Sequence, residues 1–177
     1  MSSGEIAGSV AGMAVLVVDD EANIRRTMRA CLESRGHRVT CVGTPADAMA
    51  EAGRQVFDLA FVDLRLGTDS GLDLIPALLG TAPWLKVVVI TAYASVDTAV
   101  EAMKRGATDY IPKPFTPAQI HLVTERVSTV RGLEQRLQSL REDLARSHPE
   151  VTFASRNPGM QRALELARQV AASEAVV

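Results

Sequence analysis

The chain has 177 residues, of which 19 are basic and 21 acidic, for a formal charge of −2. That length fits one full domain plus an appendage, and a composition of 47% hydrophobic and 23% charged residues excludes wholesale disorder. The near-neutral balance gives no electrostatic reason for non-specific nucleic-acid binding, and two cysteines, Cys31 and Cys41, without CxxC spacing argue against a disulfide scaffold or a zinc site.

Residues 1–12, MSSGEIAGSVAG, are small and polar, carry Glu5 and no basic residue, and read as a flexible tail without a signal-peptide profile. No stretch approaches the ~20 apolar residues that span a bilayer, so a cytoplasmic protein with no membrane contact is expected.

From residue 14 short β-branched runs alternate with helical periods. The runs are Ala14–Val18, Arg38–Val42, Leu59–Val62, Lys86–Ile90 and Asp109–Ile111. The first, third and fourth are almost continuously apolar, the pattern of strands covered on both faces. The first helix carries Ile24, Met28, Cys31 and Leu32 and closes at Gly36. Thr44-Pro45 opens the second as an N-cap with proline in the first turn. Gly71 opens the third, with Leu74, Ile75, Leu78 and Leu79 inward. The fourth starts near Ser95, with Val96, Ala99, Val100 and Met103 inward, and ends on Lys104-Arg105-Gly106.

Five β–α units predict a doubly wound, five-stranded parallel α/β sheet in the order 2-1-3-4-5, flavodoxin-like. Pro112 then falls on an edge strand, where a missing donor is tolerated. The fifth helix, from about Thr116 to Ser147, outruns the domain. Its apolar residues Ile120, Val123, Val127 and Val130 are followed by Leu133, Leu137, Leu140 and Leu144, with one phase slip beside Gly132. The first set is expected to pack on the sheet and the second to form a two-heptad coiled-coil seam, with a merely amphipathic surface helix as the alternative. Glycine weakens a helix by ~1 kcal/mol relative to alanine, which suits a register break. Such a helix reaches roughly 45 Å. His148-Pro149 ends it. Residues 150–177 hold one more helical period (Met160, Leu164, Ala167, Val170) after Asn157-Pro158-Gly159, and are too short to bury a core.

The chemistry gathers at the strand C-termini. The first strand ends in Asp19-Asp20, the third in Asp63, the fourth in Thr91, and the fifth leads to Lys113. In this fold those positions face one crevice. Clustered carboxylates raise one another's pKa until a hard divalent cation such as Mg²⁺ removes the repulsion. A threonine hydroxyl and a lysine charge suit a phosphoryl group attached to a carboxylate nucleophile. Taken singly, Asp19-Asp20-Glu21 reads as a helix start, Asp63 as a strand end, Thr91 as a cap and Lys113 as a solvated side chain; the conjunction on successive strand ends favours a site.

With VLVVDDE, LAFVDLRLG, VVVITAY and DYIPKPF in place, the sequence resembles the response-regulator receiver domains, CheY-like in fold, over about residues 14–126. The resemblance implies that Asp63 is the phosphoacceptor and that Asp19, Asp20, Asp63 and the Arg65 backbone carbonyl hold Mg²⁺. It further implies that Thr91 and Lys113 bind the phosphoryl oxygens, that Thr91 and Tyr110 switch, and that Lys113-Pro114 is cis. The chain past the long helix, FASRNPGMQRALELARQVAASEAVV, looks like the opening of the AAA+ domain of NtrC-type activators of sigma-54 RNA polymerase. LRLGTDSGLDL, TAPWLKVVV and VDTAVEAMKRGATDY are similar to the AlgB-type regulators of alginate synthesis.

The implied organisation is a tail (1–12), a receiver (13–128), a coiled-coil linker (129–149) and the N-terminal fragment of an AAA+ domain (150–177). No Walker A segment or helix-turn-helix is present, so this stretch is expected neither to be an enzyme nor to bind DNA, although the full-length regulators bind DNA and sigma-54 RNA polymerase. The expected partners are a sensor histidine kinase and a second copy of the chain, joined through the linker helix and the face of the fourth helix, fifth strand and fifth helix. The alternative is a dimerisation module with an inert acidic pocket, a phosphorylation-independent pseudo-receiver. A flavodoxin would place a phosphate loop where Asp19-Asp20 repel phosphate, and a haloacid-dehalogenase phosphatase needs a DxD that this sequence lacks. His37, His121 and His148 have no ligand spacing, and Trp84 reads as packing.

Overall fold

A strand that is apolar at every position needs cover on both faces, and the arrangement of helices supplies it. The computed structural model describes residues 12–147 together with Gly159, Arg162 and Ala163. In chain order its elements are β1 (Ala14–Val18), α1 (Ala22–Glu33), β2 (Arg38–Val42), α2 (Pro45–Arg54), β3 (Leu59–Asp63), β4 (Arg65–Leu66), β5 (Asp69–Ser70), α3 (Gly71–Thr81), β6 (Lys86–Thr91), α4 (Val96–Lys104), β7 (Asp109–Pro112) and α5 (Pro117–Ser147). The large sheet has the order β2-β1-β3-β6-β7 and every neighbouring pair in it is parallel. This is the expected 2-1-3-4-5 order once the two-residue antiparallel pair β4–β5 is set aside. Pro112 closes the edge strand, where its missing N–H costs no ladder bond.

All five residues of β1 and of β3 are buried. Their alternate side chains feed two separate cores, as strand geometry requires. Leu16, Val18, Ala60, Val62, Val87 and Val89 pack with Ala48 of α2, with Leu74, Ile75 and Leu78 of α3, and with Ala102 of α4. On the other face Val15, Val17, Phe61, Val88 and Ile111 pack with Met28 and Leu32 of α1 and with Ile120, Val123 and Val127 of α5.

The helix ends follow their sequence signals. Thr44 caps α2 by accepting from the Asp47 amide, with Pro45 behind it. Ser95 and Thr98 form a reciprocal capping box on α4, each side chain accepting the other's backbone N–H. Gly36, with φ of 80°, follows α1 in the left-handed region. Trp84 donates its indole N–H to the Phe57 carbonyl at 3.2 Å, yet about half of it (54%) remains exposed, so it packs on one side only.

The fourth helix departs from expectation. Val96, Val100 and Met103 are exposed rather than inward, and the buried position is Ala102, with Thr98 and Ala99 partly covered. The helix turns its small residues, Ala102 and Ala99, toward the core and leaves the larger stripe outside.

The chain divides into two units, Met1–Leu133 and Glu134–Val177. In the first, α5 buries Ile120, Val123 and Val127 while Val130 and Leu133 are exposed. In the second, the described residues are helical through Ser147, and Leu137, Leu140 and Leu144 are all exposed. Residues 1–11 of the expected 1–12 tail, the break at His148-Pro149 and the Met160, Leu164, Ala167 and Val170 period lie outside the described residues. Among the described residues no helix is long and apolar enough to cross a membrane.

Candidate functional site

Parallel strands deliver their C-terminal residues to one edge of the sheet, and β1 lies where the chain order reverses, between β2 and β3. Asp19 directly follows β1, Asp63 and Thr91 are the last residues of β3 and β6, and Lys113 directly follows β7. The Lys113 amide donates to the Thr91 carbonyl at 2.7 Å, which fixes the end of β7 against that of β6. The Lys113–Pro114 peptide is cis.

Four carboxylates and one ammonium meet there. The Lys113 Nζ lies 2.6 Å from Asp63 Oδ2, 2.8 Å from Asp19 Oδ2 and 3.2 Å from Glu21 Oε1. The Lys113, Asp19 and Asp63 side chains are all nearly buried. Burial pulls the Lys113 ammonium down, but its bonds to Asp19 and Asp63 and their charges outweigh that and hold it above its ordinary value. For Asp19 burial wins in the opposite sense. It pushes the carboxyl up more than Lys113 and the Glu21 amide pull it down.

Asp19, Asp20 and Asp63 each offer a carboxylate oxygen, and these lie within 4.8 Å of one another. Asp20 is exposed and accepts the Gly67 amide at 3.1 Å, which brings the loop after β3 onto the end of β1. The Arg25 guanidinium donates to the carbonyls of Asp19 at 2.6 Å and Asp20 at 2.8 Å, tying α1 to the same turn. The donor set is hard and anionic. With Lys113 balancing only one of the four negative charges, it fits a divalent cation of the oxygen-loving kind.

Asp63 Oδ1 accepts the Arg65 amide at 3.2 Å, and the Thr91 hydroxyl, fully buried, accepts the Tyr93 amide at 3.1 Å. Gly71 explains why α3 can begin so close to Asp63: a Cβ there would sit 1.8 Å from the Asp63 carbonyl oxygen. Tyr110 is half-buried, with its hydroxyl 3.1 Å from Thr98 Oγ1 and 3.5 Å from the Tyr93 carbonyl.

The structure thus brings together Asp19, Asp20, Asp63 and Lys113, with Thr91 at the end of the strand next to Asp63, and holds Tyr110 against α4 through Thr98. Arg65 sits in the short β4 strand paired with Ser70. Three side-chain contacts escaped the sequence reading. Glu21 adds a third carboxylate to Lys113. Arg65 places its guanidinium 3.7 Å from the centre of the Tyr93 ring. His121 of α5 sits 3.2 Å from the Cys31 thiol and 3.3 Å from its carbonyl. Only the spacing of Arg65 and Tyr93, each two residues past a pocket residue, hinted at the second.

The sequence matches the response regulator receiver domain family over residues 15–125. It is 46% identical over 161 residues to the alginate biosynthesis transcriptional regulatory protein AlgB of Pseudomonas aeruginosa, covering 91% of this chain and 35% of that protein. It is 31% identical over 164 residues to the transcriptional regulatory protein ZraR of Escherichia coli, covering 92% of this chain and 36% of that protein. The chain therefore spans about a third of the length of these curated relatives.

Among solved structures, it resembles a response regulator from Burkholderia pseudomallei described with a phosphorylated aspartic acid, calcium ion and citrate. The TM-score is 0.62 at 36% identity, over 71% of this chain and 74% of that one. It also resembles NtrX from Brucella abortus in complex with ADP, with a TM-score of 0.69 at 30% identity over 88% of this chain and 34% of that one. Receiver domains of such regulators take a phosphoryl group from sensor histidine kinases. By sequence match, sheet order and pocket alike, the chain belongs to the response regulator receiver family and is the receiver domain of a two-component response regulator.

Proposed function

We propose that Asp63 is the residue that accepts the phosphoryl group, and that this chain is the regulatory part of a sigma-54-dependent activator of the AlgB and NtrC type. The observation that carries the reading is the buried Asp63–Lys113 contact at 2.6 Å inside a cluster of three aspartates. An Asp63 carboxylate oxygen attacks the phosphorus of a kinase phosphohistidine, the P–N bond breaks, and the imidazole leaves. Lys113 and the Thr91 hydroxyl would take the phosphoryl oxygens, a role supported by the contact of the Lys113 ammonium with the carboxylates that would share it with the incoming charge.

Asp19, Asp20, Asp63 and the Arg65 carbonyl would hold Mg²⁺, which supplies neutralisation of the charge on the transferring group. Once phosphorylated, Asp63 recruits Thr91, and the Tyr110 hydroxyl exchanges its place on Thr98 for an inward one, shifting the equilibrium of the α4–β7–α5 face. The exposed seam of Leu133, Leu137, Leu140 and Leu144 supports a cytoplasmic dimer through the linker helix, which would present the ATPase domains of a longer protein.

The test is incubation with acetyl phosphate and Mg²⁺, followed by intact mass. One added phosphoryl group is expected, lost in Asp63→Asn and on chelation of the metal. Undiminished labelling of Asp63→Asn rejects the assignment.

A further inference from the structure

The stripe that seats α5 on the sheet ends in a charge. Ile120, Val123 and Val127 are buried, and one helical turn past Val127 the same face presents Arg131, whose guanidinium pairs with Asp58. Asp58 is a fixed point. Its nearly buried carboxylate accepts the Ala14 amide at 2.8 Å, its own amide donates to the Ala14 carbonyl at 2.8 Å, and its carbonyl accepts the Lys86 amide at 3.2 Å. One residue thus ties the starts of β1, β3 and β6 together, at the edge of the sheet opposite the pocket.

Gly132 comes next. A Cβ there would meet nothing within 4 Å and its φ is not positive, so neither a close approach nor the backbone conformation requires glycine. Leu133, the first residue of the exposed seam, follows. Glycine inside a helix favours the unwound chain about five-fold relative to alanine. Past Val127 no apolar side chain of α5 is buried among the described residues, and a short helix without packing is marginal in water. The bond of Arg131 to Asp58 holds the turn immediately before the glycine.

We infer that the Asp58–Arg131 pair is a lock on the Gly132 turn, which keeps α5 helical up to the seam and so favours the pairing of two copies. The inference rests on the linker dimer proposed above. Two seams meet only when both helices are formed through Gly132. The fraction of monomers in which that turn is helical therefore enters the dimer dissociation constant once for each copy. An anchor that raises the fraction strengthens the dimer without touching its interface. The glycine makes the turn depend on the anchor, and assembly of the linker then answers to the integrity of the sheet.

The experiment follows the whole chain by sedimentation across a concentration series. Arg131→Ala is expected to raise the dimer dissociation constant about five- to twenty-fold, and to speed amide hydrogen exchange over residues 128–136 in the dilute monomer. Asp58→Asn, which keeps an oxygen for the Ala14 amide, is expected to act in the same direction from the other side of the pair. Arg131→Lys, which keeps the charge, should recover part of the loss. Gly132→Ala decides the mechanism. Added to Arg131→Ala it should return the dimer to within about two-fold of the unsubstituted chain, and alone it should do little, because the lock already holds the turn.

An unchanged dissociation constant in both Arg131→Ala and Asp58→Asn overturns the lock and leaves the seam standing. A weakening that Gly132→Ala fails to relieve also overturns it, since Arg131 would then act as a charge on the partner copy. An unsubstituted chain that stays monomeric at every concentration overturns the seam and the lock with it.

Discussion

The two halves of α5 carry the same kind of sequence and meet opposite fates. Ile120, Val123 and Val127 are 0%, 6% and 4% exposed, whereas Leu133, Leu137, Leu140 and Leu144 are 53–62% exposed. The steps between apolar residues are three and four in both. What separates them is burial: the first set packs with Val15, Phe61 and Ile111 of the sheet, and the second set is exposed. A helical stripe therefore states that a partner exists and leaves open whether it is the same molecule. The ion pairs of α5 mark the change. Arg126 bonds Asp109 of β7 at 2.9 Å, and Arg131, the residue before Gly132, pairs with the nearly buried Asp58 at the start of β3. Asp58 also accepts the Ala14 amide at 2.8 Å.

Truncations separate the halves most strongly. Ile120→Ala, at a fully buried site, should lower the unfolding free energy by about 2–5 kcal/mol. Leu137→Ala should stay within about 0.5 kcal/mol in the isolated monomer. Urea denaturation measures both, and equal losses would erase the distinction.

Next is the latch between them. Arg131→Ala removes a partner from a carboxylate that is only 9% exposed, but the arginine is itself 36% exposed. Solvent discounts the loss to about 1–2 kcal/mol, measured the same way.

The seam is sharpened by assembly. Leu137→Asn with Leu140→Asn should convert a dimer to a monomer in light scattering while leaving the thermal midpoint of the receiver within about 2 °C. A dimer that survives both changes would move the contact to another face.

Smallest is a pH effect on the first unit. Burial lowers the His37 imidazole below its ordinary value, and the charges of His121 and Arg35 lower it further. Its Nδ1 accepts the Met13 amide at 3.2 Å. The unfolded chain then binds the proton first as pH falls below about 6.5, so stability drops from there until the folded value is passed and is regained on raising the pH. His37→Gln should flatten that part of the stability profile.

Much of this was legible beforehand. Long-range order came from local runs: all five sheet strands lie within one residue of their predicted ends, because short runs rich in β-branched residues, too short for a helix and bounded by helical periods, favour strands. The pocket was legible because its residues end strands and so need no knowledge of loops. The orientation of α4 was not. Val96, Val100 and Met103 form the more hydrophobic stripe, and reading by hydrophobicity selects it. The sheet instead takes Ala102, whose small side chain permits the helix to come close. The β4–β5 pair is too short to carry a pattern. The Arg65–Tyr93 contact joins residues from separate loops, whose meeting depends on the finished sheet.

Gly71 has a consequence for how the domain tolerates change. One extra carbon there, the least that any substitution adds, would collide with the peptide carrying Asp63. The start of α3 is thereby as constrained as Asp63 itself, and damage to the pocket can enter through a residue with no functional group at all.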